Sequence, residues 1–128
     1  MPKVSVILPV HNEEKSVVRS INSVLNQTYQ DFELIVVNNA STDKTVEVVE
    51  SIKDDRITIV DCKVQGIVPA LNTGLQNSNG EIIARQDADD FWYPEKLQCQ
   101  INLFEEKTNI SICGTQIRIL DSDLNLKN

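Results

Sequence analysis

The sequence predicts an α/β fold: a mainly parallel, twisted sheet with helices on both faces. Three observations lead there. Short runs of apolar, often β-branched residues recur along the chain. Segments with apolar residues at helical spacing separate them. The alternation continues without an internal repeat, a low-complexity tract or a long linker, so neighbouring strands are joined by crossovers and run parallel. At 128 residues with 41% hydrophobic content, the chain reads as a single domain spanning 1–128 with an ordinary core.

Each element has its own justification. Val4–Val10, "VSVILPV", is a continuous apolar run of the kind buried on both faces. Glu13–Asn26 places Val17, Ile21, Val24 and Leu25 on one helical face, and Glu13 and Glu14 are expected in its first turn, where the helix dipole favours acids. Phe32–Val37, "FELIVV", is the second strand. "NASTDKT" then turns into a helix through Val46, Val49 and Ile52, with Ser41 or Thr42 as the expected cap. Ile57–Val60 is a short third strand. Pro69 suits the first turn of a helix carrying Leu71 and Leu75, which Asn77–Gly80 stops. Glu81–Arg85 is the fourth strand. Pro94 opens a helix with Leu97, Ile101 and Phe104 on one face, and Ile110–Leu120 reads as a fifth strand.

Composition narrows the function. A net charge of −7 offers no electrostatic footprint for nucleic acid and no polybasic segment for an anionic membrane. Cys62, Cys99 and Cys113 are widely spaced and read as reduced thiols of a cytoplasmic protein. The N-terminal apolar run is too short for a signal peptide, and no stretch approaches the roughly 18 apolar residues of a membrane span.

Ligands of a parallel sheet gather at the carboxyl ends of its strands. Three polar segments fall there: "PVHN" after the first strand, "NNAST" after the second and "DADD" after the fourth. Asp87, Asp89 and Asp90 crowd negative charge into an already acidic chain. On an extended segment, carboxylates two apart point to one side, and their repulsion calls for a cation. A hard divalent ion such as Mg²⁺ accepts few protein carboxylates and shares its shell with phosphate oxygens. Asp89 and Asp90 also precede a helix, whose dipole favours acids on its own account. A second Asp-x-Asp, Asp121-Ser122-Asp123, has no helix behind it and reads as a solvated turn. Neither a P-loop nor a G-x-G-x-x-G fingerprint is present, so phosphate is expected to be held through metal. His11 is the only histidine and no G-x-S-x-G elbow exists, which excludes a Ser-His-Asp hydrolase and makes His11 a loop residue near the site.

"VSVILPVHNEE", "ELIVVNNASTD", "GIVPALNTGLQNSNGEIIARQDADD" and "YPEKLQ" together resemble, in order, the successive blocks of the family 2 inverting glycosyltransferases. The resemblance runs from Val4 to about Gln100. It implies a Rossmann-like, nucleotide-diphospho-sugar transferase fold and a Mg²⁺- or Mn²⁺-dependent transfer from a nucleoside diphosphate sugar donor to a glycan or lipid-linked acceptor. It makes Asp89 the metal ligand, with Asp87 at the ribose or the metal shell. Pro9, Val10 and neighbouring His11 would line the base pocket, Asn39 would meet the base edge, and Gly66 would be the loop glycine beside the nucleotide. Arg85 would pair with the diphosphate or with the acid cluster, and Trp92 and Tyr93 would flank the sugar or pack in the core. Relatives often carry Asp at position 38; Asn38 departs from that and leaves the base open. The family's catalytic base lies downstream of the Asp-x-Asp, and no residue here matches it. The chain therefore reads as a donor-binding portion truncated before the acceptor-binding half. Membrane contact, peripheral and at the inner face, is expected only through C-terminal parts outside this chain. Two rivals stand beside this reading: a nucleotidyltransferase-like enzyme, and a non-enzymatic receiver module with Asp61 as phosphoacceptor.

Overall fold

In the computed structural model, which describes residues 1–127, strands and helices alternate strictly. They are β1 (Val4–Val10), α1 (Val17–Leu25), β2 (Phe32–Asn38), α2 (Thr45–Glu50), β3 (Ile57–Asp61), α3 (Ile67–Gln76), β4 (Ile82–Arg85) and α4 (Lys96–Glu106). The sheet has the order β3-β2-β1-β4, and all its pairings are parallel. Residues Met1–Gln98 form one compact unit, and the chain from Cys99 onward forms a second.

Topology assigns the helices to faces. The steps β1 to β2 and β2 to β3 run one way across the sheet, and the step β3 to β4 returns past β1. Right-handed crossovers of opposite direction place their helices on opposite faces. α1 and α2 accordingly touch each other, while α3 lies against β1, β2 and β3. Side-chain alternation divides the core in the same way. Ile7, Ile35 and Val37 pack with Cys62 and Ala70, flanked by Val60 and Leu71. Val6, Leu8, Leu34 and Val36, on the other face, are fully buried. Burial of each such side chain contributes roughly 1.5–3 kcal/mol, which makes the two-sided core the main support of the sheet.

Pro9 sits in the central strand, where a missing N–H would normally cost a ladder bond. The register shows why it does not. Gln86 N–H donates to the Ile7 carbonyl and Asn39 N–H to the Val10 carbonyl. Alternate residues of β1 therefore face β4 or β2 in turn, and Pro9 faces β4. The β1–β4 pairing ends at Ile7 and Arg85, one step before a donor at position 9 is needed.

The opposite edge of the sheet is closed by two polar knots. Ser5 Oγ donates to Glu33 and accepts the backbone N–H groups of Asn79 and Gly80. Burial works to raise the Glu33 pKa, but bonds from Ser5, Asn79 and Gly80 outweigh it and hold the carboxyl below its ordinary range. Arg56 lies over the Phe32 ring at 4.6 Å and reaches Asp54 at 2.7 Å, Gln30 and the Leu25 carbonyl.

Three expectations are corrected. Glu13 and Glu14 precede α1, which begins at Val17, and are not in its first turn: Glu13 accepts from Ser16 Oγ and its N–H donates to Thr45 Oγ1, while Glu14 accepts the Lys44 N–H. The α2 terminus is served by Asp43, not by Ser41 or Thr42; Asp43 Oδ1 accepts the Thr45 N–H at 2.9 Å. Ile110–Leu120 is not a fifth strand. Its β-branched residues have no neighbouring strand to bury them, and Ile112, Ile117 and Ile119 are 89%, 83% and 63% exposed. Only an antiparallel bridge between Leu120 and Leu126 forms there. It closes a turn in which Asp121 Oδ1 accepts the N–H groups of Asp123 and Asn125, so the second Asp-x-Asp is a solvated turn. Cys62, Cys99 and Cys113 are free thiols.

Two substitutions test this account. A Cβ on Gly80 would lie 2.5 Å from Ser5 N and 2.7 Å from Val4 C, both backbone atoms that cannot yield. Gly80→Ala is expected to destabilise the fold by about 1–3 kcal/mol in urea denaturation. Hydrogen bonds from Arg56 lower the Asp54 pKa from 3.8 to about 2. That stabilisation is complete above the unfolded pKa and is lost as pH falls toward the folded one. Asp54→Asn should cost about 1 kcal/mol at pH 7 after allowance for solvent screening, with the difference from the parent closing between about pH 4 and pH 2.

Candidate functional site: a cleft at the carboxyl ends of the strands

A cleft of about 440 Å³ opens at the carboxyl edge of the sheet. β1 and its loop supply Pro9, Val10, His11 and Glu13, and Asn39 comes directly after β2. The segment leading into α3 supplies Gln65, Gly66, Ile67 and Ala70. The end of β4 supplies Arg85, Asp87, Ala88 and Asp89. All eight residues singled out from the sequence line this one cleft. Glu13, Gln65, Ile67, Ala70 and Ala88 were not singled out. Gln65 and Ile67 flank Gly66, and Ala88 stands inside "DADD", so adjacency was the available signal.

The loops are locked to one another. Asn12 has φ 53°, a left-handed conformation that Asn tolerates. Its Oδ1 accepts the N–H groups of Thr42 at 2.7 Å and Asp43 at 3.2 Å, and its own N–H donates to Ser41 Oγ. His11 Nδ1 lies 2.7 Å from the Asn39 carbonyl oxygen. A carbonyl only accepts, so Nδ1 carries the proton and Nε2 is left to accept from the Asn12 amide at 3.4 Å.

Asn39 lines the cleft with its amide already engaged by the chain. It is 6% exposed; its amino group donates to the Cys62 and Val64 carbonyls, and its oxygen accepts the Gly66 N–H. Gly66 itself has φ 126°, a conformation side chains disfavour.

The acid cluster occupies a tight turn, not the extended segment that would align Asp87 with Asp89. Asp90 N–H donates to the Asp87 carbonyl at 3.1 Å. Buried Gln86 braces the turn, donating to Asp90 O at 2.9 Å and to Ser20 Oγ at 2.8 Å, and Ser20 Oγ donates in turn to Asp87 O. Arg85 pairs with the Asp87 carboxylate at 2.9 Å, with both side chains about half exposed. Burial, followed by the charges of Asp89 and Asp87, raises the Asp90 pKa. Among the described residues no group of three or more His, Cys, Asp or Glu is placed to hold a metal alone. Trp92 is 8% exposed and outside the cleft lining, with its backbone N–H donating to Ser23 Oγ; it packs in the interior. Tyr93 is 57% exposed. Asp61 ends the edge strand β3, bonded to Asn38 and outside the cleft lining, which leaves the receiver reading without a site.

An open α/β sheet with a cleft at the carboxyl ends of its strands, where the strand order reverses, is the class of fold that binds ligands at that point. Comparison with known proteins narrows the class. The family described as Glycosyl transferase family 2 matches residues 5–128, and the chain belongs to it. An uncharacterized glycosyltransferase of Rickettsia bellii is 42% identical over 122 residues, covering 94% of this chain and 18% of the relative. The mannosyltransferase PcManGT of Pyrobaculum calidifontis, solved with GDP-Man and Mn²⁺, superposes with a TM-score of 0.74 at 32% identity, over 80% of this chain and 32% of that one. TarS 1–349 of S. aureus, solved with UDP-GlcNAc, gives 0.75 at 29% identity, over 81% and 31%. Among curated relatives such as these, the chain spans from 18% to 53% of their length. No helix among the described residues is long and apolar enough to cross a membrane.

Gln86→Leu would leave Ser20 Oγ and the Asp90 carbonyl without their donor. A loss of about 1–3 kcal/mol is expected in thermal or chemical denaturation.

Proposed function

We propose that the cleft is the donor site of an inverting glycosyltransferase, taking a nucleoside diphosphate sugar together with a divalent cation. One observation carries this reading: four separate chain segments bring residues from three of the family's ordered blocks to a single cleft at the carboxyl ends of the strands. The donors named for TarS and PcManGT, and the Mn²⁺ of PcManGT, are of the same chemical class.

The donor set suits a hard cation. Asp89 is exposed on the cleft and offers oxygen ligands only, with Asp87 two residues away. Too few protein acids converge to bind an ion alone, which fits Mg²⁺ or Mn²⁺ shared with phosphate oxygens. Such an ion, when bound, supplies charge that offsets the leaving diphosphate. The chain's own part is orientation and charge balance. Pro9, Val10 and Ala70 give the cleft an apolar wall for a base. The Arg85 guanidinium, shared with Asp87, tempers repulsion between the acid turn and an anionic ligand. The base that deprotonates the acceptor hydroxyl is assigned to a part of the enzyme outside this chain, as is any contact with a glycan or lipid-linked acceptor. Residues 1–128 would then be the nucleotide-sugar-binding domain of a cytoplasmic enzyme, peripheral to the membrane at most, building a cell-envelope polysaccharide.

Thermal-shift titration with UDP, GDP and dTDP, each with and without Mn²⁺ or Mg²⁺, tests the reading. Stabilisation by at least one nucleotide is expected only when metal is present. Asp89→Ala should remove the metal effect and weaken nucleotide binding at least tenfold. Full metal-dependent binding by that variant would defeat the assignment.

A further inference from the structure

The β3–α3 loop carries Gln65, Gly66 and Ile67 to the cleft, yet little holds it. Val64 is 66% exposed, and Gln65 and Gly66 are exposed as well. Gly66 adopts φ 126° and ψ 155°, which the chain does not favour without restraint. The restraint comes from another strand. The Asn39 carboxamide donates to Cys62 O at 3.2 Å and Val64 O at 2.7 Å, and accepts from Gly66 N–H at 2.9 Å.

This pattern uses both amide donors and needs the acceptor beside them. A carboxylate keeps the acceptor but sets negative charge against two carbonyl oxygens. A small aliphatic side chain keeps nothing. The backbone oxygen of Asn39 is engaged too, by His11 Nδ1, so one residue ties the loops after β1, β2 and β3 together.

We propose that Asn39 is a positioning residue: it clamps the β3–α3 loop into the wall of the cleft, and its contribution to nucleotide binding comes through that loop. The ligand arm of the test rests on the donor-site reading above; the exchange arm does not.

The two roles separate on one substitution. Uracil presents an N3–H donor, which a carboxylate accepts as readily as an amide oxygen does. If Asn39 reads that edge, Asn39→Asp keeps UDP affinity while Asn39→Ala loses it, and the ranking of UDP, CDP and GDP changes. If Asn39 clamps the loop, both variants bind UDP, CDP and GDP more weakly by the same factor, at least fivefold, with the ranking unchanged. Hydrogen exchange without ligand gives an independent measure. The Gly66 amide should exchange at least tenfold faster in Asn39→Ala, with amides of β1 and β2 unaffected. Unchanged exchange at Gly66, or a base-selective loss of affinity, overturns the proposal. So does collapse of protection throughout β1 and β2 in both variants, which would make Asn39 a residue of global stability. If the parent protein binds no nucleoside diphosphate, the donor-site reading fails and the exchange result still decides the clamp.

Discussion

One missing hydrogen-bond donor shapes the functional end of this protein. β1 pairs with β2 along its whole length and with β4 from Val4 to Ile7, and Pro9 lies near its carboxyl end facing β4. The Gln86 N–H bond to the Ile7 carbonyl closes the β1–β4 ladder, and Pro9 has no donor to carry it further. β4 departs there, while β1 and β2 stay paired to Val10 and Asn38. The gap falls where the strand order reverses, between helices on opposite faces, and the cleft occupies it. Apolar burial makes the sheet; the proline decides where it opens.

The charge of the acid turn follows from that departure. The chain leaving β4 must turn back toward the helical layer, and Gln86 and Ser20 fasten the turn through neutral hydrogen bonds. Three carboxylates are then carried on a scaffold that they did not build. Arg85 offsets only Asp87, and at half-exposed positions such a pair contributes little stability. Burial first, and then the charges of Asp89 and Asp87, raise the Asp90 pKa, so repulsion within the turn is only partly offset. Structural capping leaves that residual charge unexplained, because Asp89 lines the cleft and the α4 helix begins only at Lys96. A cation shared with a phosphate oxygen relieves it and recruits an anionic ligand in the same event.

The parts legible in the sequence were those set by local pattern. Val4–Val10 and Phe32–Val37 are continuous apolar runs, and such runs become strands because both faces must be buried. The eight cleft residues were legible because each lies in a polar segment directly after a strand or in one of the family's ordered blocks. What could not be read depended on partners distant in sequence. Glu13 and Glu14 look like helix-start acids until the loop at Thr45 and Lys44 claims them. Ile110–Leu120 has strand composition, but composition supplies no neighbouring strand. Asn39 looks available to a ligand because its three contacts come from residues more than twenty positions away.

The cleft is lined entirely by residues of the Met1–Gln98 unit. Its four contributing segments are joined by bonds within that unit: Asn12 to the β2–α2 loop, Asn39 to the β3–α3 loop, and Ser20 to the acid turn. None of these bonds involves the residues from Cys99 onward. Donor recognition, as proposed here, thus has a self-contained physical basis in the first unit.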